Sequence, residues 1–135
     1  MLYTGVDIIE IARIEQAITR WADRFIARVF TVSERAESGD QIHSLAARWA
    51  AKEAAAKALG IGVAGLGAHA VVGVGIAARW HDLEVRRLPR ERPQLVLHGI
   101  AQTRAAALGW RSVAISLSHG RDYAVAFVVA QADQP

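Results

Sequence analysis

Lys52, Glu53 and Lys57 fall in the stretch Trp49-Ala50-Ala51-Lys52-Glu53-Ala54-Ala55-Ala56-Lys57-Ala58-Leu59-Gly60, where residue types and spacing could do chemistry. Lys and Arg total 16, and these are the only two lysines. A carboxylate is a hard oxygen ligand, and an ammonium is a compact point charge. One acid beside two such cations on neighbouring helical positions suits a metal-bound anion such as a polyphosphate. The ordinary reading is a solvated Glu53–Lys57 pair, worth about 0.3 kcal/mol at this spacing. Three features favour chemistry instead. Lysine occurs nowhere else, a glycine-rich segment follows directly, and the flanking alanines leave room for a large ligand.

Asp7 offers a second carboxylate. It follows the β-prone run Leu2–Val6, which reads as a strand closing at Asp7. Asp7 is then either a helix N-cap, with Glu10 completing a box-like pattern, or a hard-cation ligand that meets Glu53 in space. Two carboxylates suit Mg2+, which keeps several waters and takes other ligands from substrate phosphates. His119 closes a strand just before Gly120, where turns present groups to ligands. Its ordinary reading is a satisfied turn or core histidine. His43, His69, His81 and His98 form no zinc-like spacing. No phosphate-loop motif occurs, and the glycines at 60, 62 and 65 do not follow a strand. Ser116 and Ser118 read as polar positions on an alternating strand, without a nucleophile-elbow context.

The elements that must position these groups follow from periodicity. Ile8, Ile11, Ile14, Ile18 and Trp21 recur at helical spacing, with Arg13, Arg20 and Arg24 on another stripe. Ser33, Glu34 and Glu37 predict a short helix broken near Gly39. Gln41–Leu59 lacks Gly and Pro and predicts a long helix, with Gly60 as its C-cap. Six glycines between Gly60 and Gly75 predict an irregular segment. Leu83–Leu88 and Gln94–Leu97 predict a hairpin, and Gly99–Leu108 a helix closed by Gly109. Val113–Ser118 and Tyr123–Ala130 predict two further strands. The order is α+β: a long central helix packed on a mostly antiparallel sheet, in one domain spanning 1–135.

Composition bounds the rest. At 135 residues and 53% hydrophobic content the chain can bury a core. It has no cysteine, which fits a reducing cytoplasm. No stretch reads as a signal peptide or a membrane span. A net charge of +3 favours acidic partners. A nucleic-acid-binding module is one reading of so many arginines, but they are spread along the chain with acids interleaved, and no recognised motif appears. A Mg2+-dependent phosphodiesterase, with water as nucleophile, is another.

Three segments resemble one family. Gly5-Val6-Asp7 with Ile8, Ile11 and Arg13 resembles its first motif. Arg48 through Gly60 resembles its signature helix. Ile115-Ser116-Leu117-Ser118-His119, followed by Tyr123-Ala124-Val125-Ala126, resembles its C-terminal strand pair. The family is the 4′-phosphopantetheinyl transferases, and the chain length points to its small members. The resemblance implies transfer of the phosphopantetheine arm of coenzyme A to a serine of an apo acyl carrier protein, in fatty acid or polyketide synthesis. It implies that Asp7 and Glu53 hold Mg2+. Lys57 would offset charge on the transferring phosphoryl group or help move the serine proton. Arg48, Lys52, Lys57, Gly60 and His119 would lie against the nucleotide. Arg13, Arg20 and Arg24 would dock an acidic helix of the carrier protein. Nucleic acid and membrane are not expected partners, and the small members resemble homotrimers.

Overall fold

The computed structural model describes residues 1–63 and 77–133. Strand β1 (Leu2–Glu10) alternates strictly: Tyr3, Gly5, Asp7 and Ile9 turn inward, while Leu2, Thr4, Val6, Ile8 and Glu10 face out. It therefore runs past Asp7 and takes in Ile8. The β-branched run overrides the helical spacing that had joined Ile8 to the following helix. Helix α1 (Ile11–Trp21) follows with no side-chain cap, so Asp7 is not a helix N-cap. Ile11 and Ile14 are buried.

The arginine stripe does not continue on one helix. Ala22, at φ 50° and ψ −133°, breaks the chain, and Arg24 lies on a separate helix, α2 (Asp23–Val29). Phe25, Ile26 and Val29 anchor α2 in the core. Helix α3 (Val32–Ser38) opens on a Thr31–Glu34 capping box, with its cap two residues before Ser33, and ends at Gly39 in the left-handed region. Helix α4 (Ile42–Leu59) ends as expected at Gly60, φ 67°. Short strands β2 (Gly62–Val63) and β3 (Ala77–Ala78) pair in parallel. Most of the glycine-rich segment, residues 64–76 with His69, lies outside the described residues.

After a 3-10 turn (Trp80–Asp82) come β4 (Leu83–Arg86) and β5 (Gln94–Leu97), the predicted hairpin. Helix α5 (Gly99–Ala107), β6 (Trp110–His119) and β7 (Tyr123–Ala132) complete the described fold. The main sheet has the order β1-β7-β6, antiparallel throughout. The expected plan, a long helix on a mostly antiparallel sheet, is the one observed.

Helix α4 is buried almost all round, with alanines at 46, 47, 50, 51, 54, 55, 56 and 58. Small side chains let neighbours approach its backbone. At Gly5 a Cβ would lie 1.9 Å from the Ala54 carbonyl oxygen, so strand and helix meet main chain to main chain.

On the opposite side of α4, Lys52 is fully buried. Its ammonium donates to Glu34 Oε1 at 2.8 Å, the Trp80 carbonyl at 3.0 Å and the Leu83 carbonyl at 2.9 Å. Glu34 also accepts from the Thr31 and Val85 amides. Lys52 thus ties α4 to α3, the 3-10 turn and β4. All three of its donors are spent, so it has none left for a nucleotide phosphate, which corrects that expectation. Removing it strands a buried carboxylate. Lys52→Ala is expected to cost roughly 3–5 kcal/mol in denaturant unfolding.

Candidate active site

The crossing at Gly5 positions the chemistry. Asp7 is two residues further along the same inward face of β1. Glu53 and Lys57 flank Ala54 and Ala58, the α4 residues closest to Gly5. Asp7 is paired in the sheet with Ala126 of β7, a small neighbour that leaves the carboxylate space.

Lys57 Nζ donates to Asp7 Oδ1 at 3.1 Å and to the Val6 carbonyl at 3.0 Å. It thereby fixes Asp7 while remaining partly exposed. The other oxygen, Asp7 Oδ2, is buried without a hydrogen-bond partner. Such an orphan is costly unless something unseen completes it. Burial raises the Asp7 pKa, opposed by the Lys57 hydrogen bond and the charges of Lys57 and Arg13.

Glu53 is also buried. Burial first, and then the Asp7 carboxylate, push its pKa up to about 7, with Lys57 opposing. Two carboxylates, placed so that Asp7 raises the proton affinity of Glu53 and with one oxygen orphaned, have the chemistry that a hard cation would use. Among the described residues no group of three or more His, Cys, Asp or Glu could form a protein cage. A two-carboxylate site suits an ion that draws its remaining ligands from water and substrate oxygens, as Mg2+ does. The donor set and the orphaned oxygen fit that ion.

The remaining candidates divide. Arg48 is buried on the α3–β4 side of α4, away from Asp7 and Glu53. It donates to Ser44 Oγ and, at 3.5 Å, to the Ser44 carbonyl, and its Nε is buried without a partner. Burial lowers its pKa, Glu34 and Glu37 oppose that, and Arg87 adds to it. Glu37, the nearby carboxylate, is already taken by Arg86 Nε at 2.8 Å and the Arg87 amide at 2.6 Å. Arg48 is a desolvated guanidinium with a donor to spare.

His119 pairs with Ala124, which pairs with Ile9, so it shares the inner face of the sheet one pair along from Asp7. Its ring centroid is 5.4 Å from that of His43, at the start of α4. Gly60 gives its amide to the Lys57 carbonyl at 3.1 Å, as a helix cap does. Arg13 and Arg20 are exposed on α1 and Arg24 on α2, and none of them forms an ion pair among the described residues. Arg13 is near enough to act on Asp7.

The structural roles of two residues, Glu34 as the partner of Lys52 and Gly5 as the strand–helix crossing, were not expected from sequence. Glu34 could have been found from the Thr31-Val32-Ser33-Glu34 capping-box spacing. Gly5 carries no local signal, because only the helix against it explains the missing side chain.

A sequence profile of the 4′-phosphopantetheinyl transferase superfamily matches residues 3–128. The holo-[acyl-carrier-protein] synthase of Herpetosiphon aurantiacus is 54% identical over 129 residues, 96% of this chain and 98% of that protein. That of Chloroflexus aurantiacus is 53% identical over 137 residues, covering 98% and 99%. The crystal structure of Helicobacter pylori holo-[acyl-carrier-protein] synthase in complex with coenzyme A superposes with a TM-score of 0.76 at 30% identity, covering 95% of this chain and 99% of that one. The ACPS–CoA complex of Chronobacterium ammoniagenes gives 0.79 at 28% identity, with 99% of both chains covered. The match runs through both carboxylate-bearing elements and through the sheet that seats them, and the chain belongs to the 4′-phosphopantetheinyl transferase superfamily.

Proposed function

We propose that this phosphopantetheinyl transferase moves the 4′-phosphopantetheine arm of coenzyme A to a serine hydroxyl of an apo acyl carrier protein, and releases adenosine 3′,5′-bisphosphate. The observation that carries the reading is the convergence of Asp7 and Glu53 on one buried spot with an unsatisfied oxygen. Relatives of high identity bear the name holo-[acyl-carrier-protein] synthase, and the two solved relatives described above are complexes with coenzyme A.

Mg2+ held by Asp7 and Glu53 would supply a Lewis acid for the diphosphate. The serine oxygen bonds to the phosphorus bearing the pantetheine, and the bond to the adenosine-side phosphate breaks. That reaction asks for in-line positioning and cationic stabilisation, with little covalent work by the protein. Lys57, oriented by Asp7 and the Val6 carbonyl, presents its ammonium to the phosphoryl oxygens or assists the serine proton. Arg48 offers its spare donor to another phosphate of the nucleotide, with His119 and Gly60 at the margins of that site. Lys57→Ala is expected to lower kcat about 10²-fold. An unchanged kcat would return Lys57 to the role of a surface pair.

The exposed arginines Arg13, Arg20 and Arg24 dock an acidic helix of the carrier protein. The outward sheet face, with Leu2, Val6, Ile8, Tyr123 and Phe127 exposed, supports association of copies of this chain, a homotrimer by resemblance. The chain acts as one domain in the cytoplasm, in fatty acid or polyketide synthesis. No described helix is long and apolar enough to cross a membrane.

Glu53 gives the site a pH dependence. Its carboxyl must lose a proton to bind a cation, and that proton is held up to about pH 7. Mg2+ affinity should therefore fall about tenfold per pH unit below about 7. The raised pKa also favours the metal-free fold in acid. That contribution is full below the ordinary value of 4.5 and is lost as pH rises through about 7. Calorimetry with Mg2+ across this window checks the first part. A stability profile of Glu53→Gln, which should lack that slope, checks the second.

Incubation with apo carrier protein, coenzyme A and Mg2+, read by intact mass, tests the whole reading. One added phosphopantetheine per carrier is the expected result. Coenzyme A cleaved without a carrier protein would favour the phosphodiesterase.

A further inference from the structure

Four of the five histidines fall among the described residues. The His81 ring bonds the Ala27 carbonyl at 2.8 Å, and the His98 ring meets Glu84 Oε1 at 3.0 Å. The rings of His43 and His119 make no hydrogen bond among the described residues, and both residues are exposed. They meet each other instead. Their centroids are 5.4 Å apart and their planes cross at 51°. That tilted arrangement lies in the range favoured by paired aromatic rings.

The two rings stand on very different supports. His43 is the second residue of α4, the helix buried almost all round, so its backbone is a fixed post. His119 is the last residue of β6, where the chain leaves the sheet. The next residue, Gly120, gives its amide to the Tyr123 carbonyl at 2.9 Å, and a Cβ there would meet nothing within 4 Å. The turn therefore offers no wall to hold the His119 ring. On its other side His43 borders a cavity of about 380 Å³ that Arg121 and Asp122 also line. The start of α4 and the turn after His119 thus share one opening, with the ring pair beside it. Ser44, the neighbour of His43, takes the Arg48 guanidinium. Consecutive residues in the first turn of α4 hold both His119 and Arg48, the two side chains assigned above to the nucleotide.

We infer that His43 is a positioning residue for His119, and that its ring fixes the His119 imidazole in the orientation that meets a phosphate of coenzyme A. This rests on His119 being a nucleotide contact. Ordering an exposed side chain at the moment of binding costs rotamer entropy, and a neighbour already in place removes part of that cost. The contribution of His43 is preorganisation. Its loss weakens coenzyme A binding and leaves the transfer step alone. The role asks for a flat ring at position 43 and makes no use of a proton there.

Transfer kinetics of wild type, His43→Ala, His43→Phe, His119→Ala and the double alanine variant test this. His43→Ala should raise KM for coenzyme A about fivefold, with kcat and KM for the apo carrier protein unchanged. His43→Phe should recover most of the loss. His119→Ala should cost at least as much as His43→Ala. In the His119→Ala background, His43→Ala should cost nothing more, because no ring is left to orient. Inhibition by adenosine 3′,5′-bisphosphate should follow the same pattern. Full additivity of the two alanine effects overturns the inference, since His43 would then act on the substrate by itself. So does a His43→Phe variant no better than His43→Ala, which would assign the effect to the polar nitrogens. A wild-type KM in His43→Ala, beside an impaired His119→Ala, overturns the inference alone. An unimpaired His119→Ala overturns it together with the nucleotide role of His119.

Discussion

Glu53→Gln is expected to reduce phosphopantetheine transfer by on the order of 10³-fold while the protein stays folded. The amide keeps the shape of the side chain and removes its charge. Glu53 is buried, and its proton is held to about pH 7 by that burial and by Asp7. Neutralising it relieves a repulsion, so the metal-free variant should unfold no more easily than wild type near neutral pH. It should also bind Mg2+ weakly, because Asp7 alone remains. Activity assays over a range of Mg2+ concentrations, with thermal unfolding alongside, separate the two effects. Full turnover at limiting Mg2+ would remove Glu53 from the metal site.

Gly5→Ala should damage both stability and activity. The new methyl would sit 1.9 Å from the Ala54 carbonyl oxygen and 2.9 Å from the Ala58 nitrogen, both main chain. Backbone cannot rotate aside as a side chain can, so β1 and α4 must separate. Overpacking of this kind costs about 3 kcal/mol. The same separation draws Asp7 away from Glu53 and Lys57, and displacements near 1 Å cost about 10²-fold in rate. Denaturant unfolding and kcat should fall together. If stability fell and kcat per folded molecule were kept, the crossing would not be what sets the carboxylate spacing.

The long helix and its cap were legible because Gln41–Leu59 contains no breaker and ends on glycine. The hairpin and the last two strands were legible from alternation and turn residues. The end of β1 was not. Ile8 fits the helical period of Ile11 and Ile14 by coincidence, but it is exposed on the strand while its neighbour Ile9, which breaks that period, is buried. Pairing with β7 decides the matter, and a distant strand leaves no local mark. Lys52 misled for a related reason. A lysine on an alanine-rich helix reads as free to meet a nucleotide, and its carboxylate partner is on a different helix. The pairing of Lys57 with Asp7 was likewise hidden, because the i, i+4 neighbour Glu53 was the obvious candidate. Helix-local patterns carried the signature, and tertiary contacts reassigned which charge answers which.

Among the described residues strand β1 has only β7 as its neighbour in the main sheet, in a register that sets Tyr3 against Ala130. The segment bearing Asp7 therefore waits for almost the last described residues before it gains a hydrogen-bonded edge. Such high contact order predicts slow folding. On the ribosome, an emerging chain would expose its opening strand through most of its synthesis, a period in which holdase chaperones would find a target.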